Sequence, residues 1–443
     1  MTQHFLNIGA GHAAPAGFVS VFQGPGADLQ VDLSQGLPFA DNSIAGIHCE
    51  NHLEYLSQEQ GLLFLRECRR VLARGAVLRI ATPDLDAMQA VFAAQSAPGA
   101  AAHQWINNAA EALNLQMRLE GRQWIYNAQD LARAAMLAGL DGAVRRQPGA
   151  SSMAPLAGQT AGSPGQLIME FSPYKPVLDA NPLVSIVIPG YRARYFEAAL
   201  SSALAQTYGN IEIIVLDDSD NDEIRQLIEA STGAGRVRYL KNTPRLGEGH
   251  SVTRGIREAR GELIKPLYDD DVLLPHCVER MVRGMQACPD AALLISRRYT
   301  INAAGERYEE QTLAAANASC EISGLSMAAF TLATGRNFIG PPSSVMLRRA
   351  DALTMAPTVM SFSGFEIQGA GDVALYLHLL GRGECVFLAD LLSEFRVHDN
   401  HTSSDSAIFV HERNSWVFMK HHGRRLGLMP ADTNLKIKRG IPA

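Results

Sequence analysis

The stretch Val184-Ser185-Ile186-Val187-Ile188-Pro189-Gly190-Tyr191 decides the fold, because an apolar run of strand length passes straight into a Pro-Gly turn. A helical pattern from Tyr195 to Ala205 follows it. The next apolar run, Ile211 to Leu216, ends in Asp217-Asp218-Ser219-Asp220, and after a helical stretch, Glu223 to Ala230, Glu262-Leu263-Ile264-Lys265-Pro266-Leu267 leads to Asp269-Asp270-Asp271. Strands separated by helices imply βαβ units and a mainly parallel sheet. Open sheets of this kind take ligands at the carboxyl ends of their strands, where both acid clusters fall.

A second opening of the same type stands near the start, where Phe5-Leu6-Asn7-Ile8 runs into Gly9-Ala10-Gly11. Between the two lies a breaker-rich stretch, from Gly149-Ala150-Ser151-Ser152 through Gly162-Ser163-Pro164-Gly165 to Ser172-Pro173 and Asn181-Pro182. The expected division is therefore a first domain over 1–171, a linker over 172–182, a second domain over 183–404 and a basic helical tail over 405–443. A length of 443 residues agrees with more than one core. The composition, 47% hydrophobic and 19% charged, is that of a folded chain. Lys+Arg 39 against Asp+Glu 45 leaves a net charge of −6, which argues against bulk binding to nucleic acid. The 6 cysteines include no CxxC pair, so a disulfide framework and a structural zinc are both disfavoured and a reducing cytosol is expected. No run approaches the ~18 apolar residues of a membrane span, and the N-terminus has no signal-peptide pattern.

Three consecutive carboxylates after a strand repel one another unless a cation, basic side chains or water neutralises them. Oxygen ligands suit Mg²⁺ or Mn²⁺, and Mg²⁺ is commonly held by one or two carboxylates together with substrate phosphates. Alone, such a triplet reads as a solvated turn or helix cap, and Asp217 to Asp220 reads as an Asx turn. Two strand-terminal acid clusters in one small α/β unit favour a metal and nucleotide site instead.

Together with Gln206-Thr207-Tyr208-Gly209-Asn210 and Ala259-Arg260-Gly261-Glu262, these motifs resemble a family 2 glycosyltransferase of GT-A fold over about Pro182 to Ser404. The resemblance implies a nucleotide-diphosphate sugar as donor, Mg²⁺ or Mn²⁺ on the acids, and inversion at the anomeric carbon. It places Pro189 and Tyr191 beside the base, Asp217 and Asp218 at the base or ribose, and Arg245 near the donor, where the family usually has Asn. Tyr268 stands where the family often has an acid, which moves the metal role onto Asp269, Asp270 or Asp271. An inverting transfer also needs a base for the acceptor hydroxyl. The family's base precedes an amphipathic helix, and Gly371-Asp372-Val373-Ala374-Leu375-Tyr376 matches, so Asp372 is the candidate and Glu366 the runner-up. Asp372 would also serve as a helix N-cap. In Glu394-Phe395-Arg396-Val397-His398, the resemblance puts Arg396 and His398 in the loop closing over the donor. His398 is then a metal or diphosphate ligand, and Arg396 offsets charge.

The first half resembles a class I S-adenosylmethionine-dependent methyltransferase across about Phe5 to Arg146. The resemblance rests on Gly9 and Gly11, Asp32, Leu37-Pro38-Phe39 and Val77-Leu78-Arg79-Ile80-Ala81-Thr82-Pro83-Asp84. Phe22 stands where that family carries its ribose-binding acid, and Tyr55 where this subgroup usually has His. These departures imply a platform, an interface or an acceptor-recognition module, with active methylation as the alternative. The expected fold is thus α/β with two Rossmann-like domains, methyltransferase-like and then GT-A. The tail sets Trp416-Val417-Phe418-Met419 beside Lys420-His421-His422-Gly423-Arg424-Arg425, which suits a helix packed on the second domain or one lying on an anionic membrane. The function expected is sugar transfer to a glycan, lipid-linked or protein acceptor in the cytoplasm, with peripheral contact on the inner face of the membrane as the alternative placement; a bacterial surface polysaccharide is the product that the resemblance implies. The rival readings are a methyltransferase and a non-catalytic binding protein.

Overall fold

The computed structural model describes residues 4–9, 15–33, 36–95, 109–119, 121–159, 162, 165–313, 316–398 and 406–442. The chain forms two compact units, Met1–Lys175 with Arg425–Gly427, and Pro176–Arg424 with Leu428–Ala443.

The first unit contains β1 (His4–Ile8), β2 (Phe18–Phe22), β3 (Leu29–Gln30), β4 (Ile44–Glu50), β5 (Leu72–Pro83), β6 (Leu140–Arg145) and β7 (Gln166–Pro173), with helices α1 (Gln58–Val71), α2 (Leu85–Gln95), α3 (Ala109–Leu119) and α4 (Ala128–Leu137). The sheet order is β3-β2-β1-β4-β5-β7-β6, and β7 runs antiparallel to both β5 and β6. Helix α1 starts in a capping box, where the Ser57 hydroxyl accepts from Gln60 N–H and the Gln60 side chain accepts from Ser57 N–H. Its Leu62, Leu65 and Cys68 share a core with Leu6, Ile47 and Leu78 of the sheet. The breaker-rich Ser151-Ser152 stretch is fastened to β7: buried Glu170 accepts from Ser151 Oγ (2.5 Å), Ser152 N–H (3.0 Å) and Arg146 Nε (2.8 Å). Burial alone would raise the Glu170 pKa, yet these donors hold it at about 2.

The second unit begins with β8 (Val184–Gly190), β9 (Ile211–Asp217), β10 (Val237–Lys241), β11 (Leu263–Pro266) and β12 (Val272–Leu273). It continues through β13 (Ala291–Ile301), β14 (Arg307–Gln311), β15 (Cys320–Ile322), β16 (Val345–Arg348), β17 (Ser361–Phe362), β18 (Phe365–Glu366), β19 (Glu384–Arg396) and β20 (Ile437–Gly440). Its helices are α5 (Phe196–Leu204), α6 (Glu223–Ala230), α7 (Glu248–Glu258), α8 (Cys277–Ala287), α9 (Gly324–Thr334), α10 (Arg349–Ala352), α11 (Gly371–Arg382) and α12 (Ser406–Arg425). The main sheet runs β10-β9-β8-β11-β16-β13-β19-β15-β20, with β12 on β19 and β14 on β13.

The strands β8 to β11 are parallel, as their apolar runs predict, and Val184, Ile186 and Ile188 on one face of β8 and Ser185 and Val187 on the other are all buried, as expected for a strand covered on both faces. The rest of the sheet is mixed, which corrects the mainly parallel expectation. β16 is antiparallel to β11 and β13, and β15 is antiparallel to β19 and β20. The segment read as a basic tail holds α12 and then β20, which forms the sheet edge. There Lys438 pairs with Glu384 (3.0 Å) and Arg439 with Glu321 (2.5 Å). Among the described residues no helix is long and apolar enough to cross a membrane.

Candidate active site

The carboxyl ends of β8, β9 and β11 bring the predicted nucleotide residues together. Tyr191 is 46% exposed just after β8, and the Arg245 guanidinium lies 4.5 Å over its ring while pairing with Asp220 at 2.9 Å. A flat aromatic surface with a cation above it suits stacking of a nucleobase. Pro189, half-buried within β8, precedes it.

Asp217 and Asp218 are turned inward. Asp217 is fully buried and accepts from Ser219 N–H and Oγ, Tyr239 Oη (2.7 Å) and Lys241 Nζ (3.0 Å). Burial opposes its ionisation, but these donors win and hold its pKa low. Asp218 accepts from Asn242 Nδ2, Leu246 N–H and Gly247 N–H, each at 2.8 Å, so it shapes the loop that carries Arg245.

The acid triplet splits into three environments. Asp269 accepts from Tyr191 N–H (2.6 Å) and Arg192 N–H (2.8 Å), tying the loop after β11 to the loop after β8. Burial raises its pKa to about 6, against the pull of those two amides. Asp271 is buried and accepts from Arg396 N–H at 2.9 Å, and desolvation with the neighbouring Asp270 charge holds its carboxyl well above the usual carboxylate range. Asp270 keeps a partly exposed side chain, whose Oδ2 stands 3.2 Å from His398 Nε2. Arg396 is itself buried. It donates to the carbonyls of Asp270 (2.8 Å) and Asn302 (3.1 Å) and covers the Tyr195 ring at 4.5 Å, so it braces the loop. Among the described residues no group of three or more His, Cys, Asp or Glu is gathered to hold a metal. Asp270 and His398 nevertheless offer an adjacent oxygen and nitrogen, a partial donor set of the kind that substrate phosphates complete.

Asp372 is the second residue of α11, whose N-cap is Ala370, so the Asp372 side chain is not the N-cap. Its Oδ1 accepts from Val373 N–H (2.8 Å) and its Oδ2 from Asn337 Nδ2 (3.0 Å). Burial raises its pKa to about 7, with Glu248 and Glu412 adding to the rise. Glu248 accepts from Tyr268 Oη at 2.6 Å, so the tyrosine standing in the family's acid position is bonded to a carboxylate next to the candidate base. Glu366, on β18, forms an exposed pair with His250 at 3.3 Å.

Sequence reasoning missed Asn337, Glu248 and the pairing of Asp269 with backbone amides. Asn337 carried a signal only as part of the Asn337 to Ser344 loop. In the first unit, Gly9 has φ +94°, and a Cβ there would stand 2.5 Å from the His52 Cβ. Asp32 is exposed beyond β3, whereas Gly11 lies outside the described residues.

Residues 185–353, from β8 to just past α10, match the family model described as Glycosyl transferase family 2. An uncharacterized glycosyltransferase of Nostoc sp. (strain PCC 7120) is 27% identical over 239 residues, which is 52% of this chain and 70% of that protein. An uncharacterized glycosyltransferase of Rickettsia felis is 38% identical over 128 residues, 29% of this chain; the chain spans only 21% of that relative's length. Among solved structures, S. aureus TarS 1-349 in complex with UDP-GlcNAc is similar with a TM-score of 0.41 at 16% identity, covering 51% of this chain and 61% of that one.

Proposed function

We propose that the second unit transfers a sugar, with inversion, from a nucleotide-diphosphate donor to a hydroxyl of a glycan or glycoconjugate. The observation that supports this reading best is the pairing of Asp372, a partly buried carboxyl held by Asn337, with an aromatic and cationic platform at Tyr191 and Arg245 in the same unit. Asp372 accepts the acceptor hydroxyl proton, the oxygen bonds to the anomeric carbon, and the carbon–oxygen bond to the diphosphate breaks with its electron pair leaving on the nucleotide. Tyr191 and Arg245 hold the base, and the Asp218 loop orients them. Asp270 and His398 would hold a Mg²⁺ or Mn²⁺ ion, which neutralises charge on the departing diphosphate when bound.

Asp372→Asn is expected to lower transfer by about 10²-fold or more, with nucleotide-sugar binding retained, since only the proton acceptor is lost. Calorimetry and a radiolabelled transfer assay on the same protein check it. Near wild-type transfer by the variant would remove Asp372 as the base. The resemblance extends the proposal to a cytoplasmic step in surface polysaccharide assembly.

The strand order of the first unit, with its antiparallel β7, favours a methyltransferase-like fold there as a second, non-exclusive reading. Phe22, which closes β2 where that family carries its ribose-binding acid, favours a recognition or scaffold role over cofactor binding. Titration with S-adenosylmethionine should then give no heat up to millimolar concentration, and micromolar binding would restore the methyltransferase reading.

A further inference from the structure

One cation of the second unit forms no ion pair among the described residues. Arg298 lies on β13, and among the described residues its guanidinium makes no hydrogen bond or ion pair, with its Nε buried and unpartnered. The carboxylates that act on it, Asp271 and Glu309, make no ion pair with it, and Asp271 is already engaged by the Arg396 amide. Leaving a half-buried charge unpaired is costly, so the arrangement is understandable where a ligand completes it.

Two further orphans flank it. Ser393, 1% exposed, stands opposite Arg298 in the β13–β19 register, and Tyr376, fully buried, lies one turn after Asp372 on α11; neither hydroxyl has a partner. The guanidinium also rests against the loop that holds the candidate base. Its Nη1 is 2.5 Å from where a Cβ on Gly340 would be, and Gly340 N–H donates to the Asn337 side chain that bonds Asp372. The Gly340 φ of +103° suits glycine alone. The nucleotide platform, by contrast, sits at the end of β8, three strands away across β11 and β16, or roughly 14 Å at the usual strand spacing.

We propose that Arg298, with Tyr376 and Ser393, forms an anion-binding subsite beside Asp372, and that the acceptor carries a carboxylate or phosphate close to the hydroxyl that is glycosylated. A guanidinium recognises either group by paired, charge-assisted hydrogen bonds. The subsite stands on the geometry alone, whereas its assignment to an acceptor rests on the sugar-transfer reading.

Calorimetric titration of the full chain with glycerol 1-phosphate, glycerate and glycerol tests it, the first two separating phosphate from carboxylate. At least one anion should bind at least about tenfold more tightly than glycerol. Arg298→Gln should abolish that preference and Arg298→Lys should keep part of it, with thermal melts showing that both variants are folded. Equal anion binding by wild type and Arg298→Gln, or no anion preferred over glycerol, overturns the subsite. Parallel titrations with UDP, GDP and dTDP read the donor site. Loss of nucleotide binding together with anion binding would put Arg298 at the diphosphate and overturn the acceptor assignment. Anion binding without binding of any nucleotide would overturn the acceptor assignment through failure of the sugar-transfer reading, while keeping the subsite.

Discussion

A carboxyl whose pKa is lifted to about 7 by burial has a direct signature in its pH dependence. Only the ionised Asp372 can take a proton, so kcat/KM should fall about tenfold per pH unit below the limb near 7 and level off above it. The Asn337 amide donates to the ionised form and so favours it. Asn337→Ala should therefore move the acidic limb to higher pH and leave the plateau less affected, which a pH profile of both proteins would show. An unchanged limb would mean that Asn337 does not tune the base. Asp372 was legible in the sequence because it sits in a local motif at the start of a helix. Asn337 and Arg298 were not, because what marks them is a partner, or the lack of one, brought near by strands and loops distant in sequence. The inward turn of Asp217 was hidden for the same reason: its donors Tyr239 and Lys241 come from the neighbouring β10.

At the scale of elements, the parallel half of the second sheet could be read from its apolar runs and the turns that end them. β16 could not, since four buried residues have no periodicity that separates a strand from a helix, and nothing local states that it pairs antiparallel with β11 and β13. β20 was hidden by its composition, because an exposed, basic strand reads as a solvated tail until Glu321 and Glu384 are seen opposite it. Helix α9 begins in close contact with the end of α11: a Cβ on Gly324 would overlap the carbonyl of Gly383. Because that neighbour is backbone rather than a flexible side chain, Gly324→Ala should destabilise the protein toward the upper end of the about 1–3 kcal/mol typical of overpacking. Denaturant unfolding would measure this, and a variant as stable as the wild type would show that the two helix ends can part.

At the scale of the molecule, each unit has hydrophobic core residues of its own, around Leu6, Ile47 and Leu78 in the first and including Ile186, Val215 and Leu294 in the second. A calorimetric scan should accordingly show two transitions. A nucleoside diphosphate with Mg²⁺ should raise only the one that belongs to the second unit, because a ligand stabilises the fold that binds it. Adding EDTA should shrink that rise if Asp270 and His398 hold the ion. A nucleotide-dependent rise in both transitions, or in neither, would contradict this division of labour.

The last strand of the second sheet also sets an order of events during translation. β15 (Cys320–Ile322) is bordered by β20 (Ile437–Gly440), so more than a hundred further residues must be made before that border is covered. Until then the growing polypeptide carries an open sheet edge, the kind of template on which nascent chains misassociate. The acidic side chain of Glu321 on that edge then acts as a guard, discouraging pairing with other chains until Arg439 arrives to neutralise it.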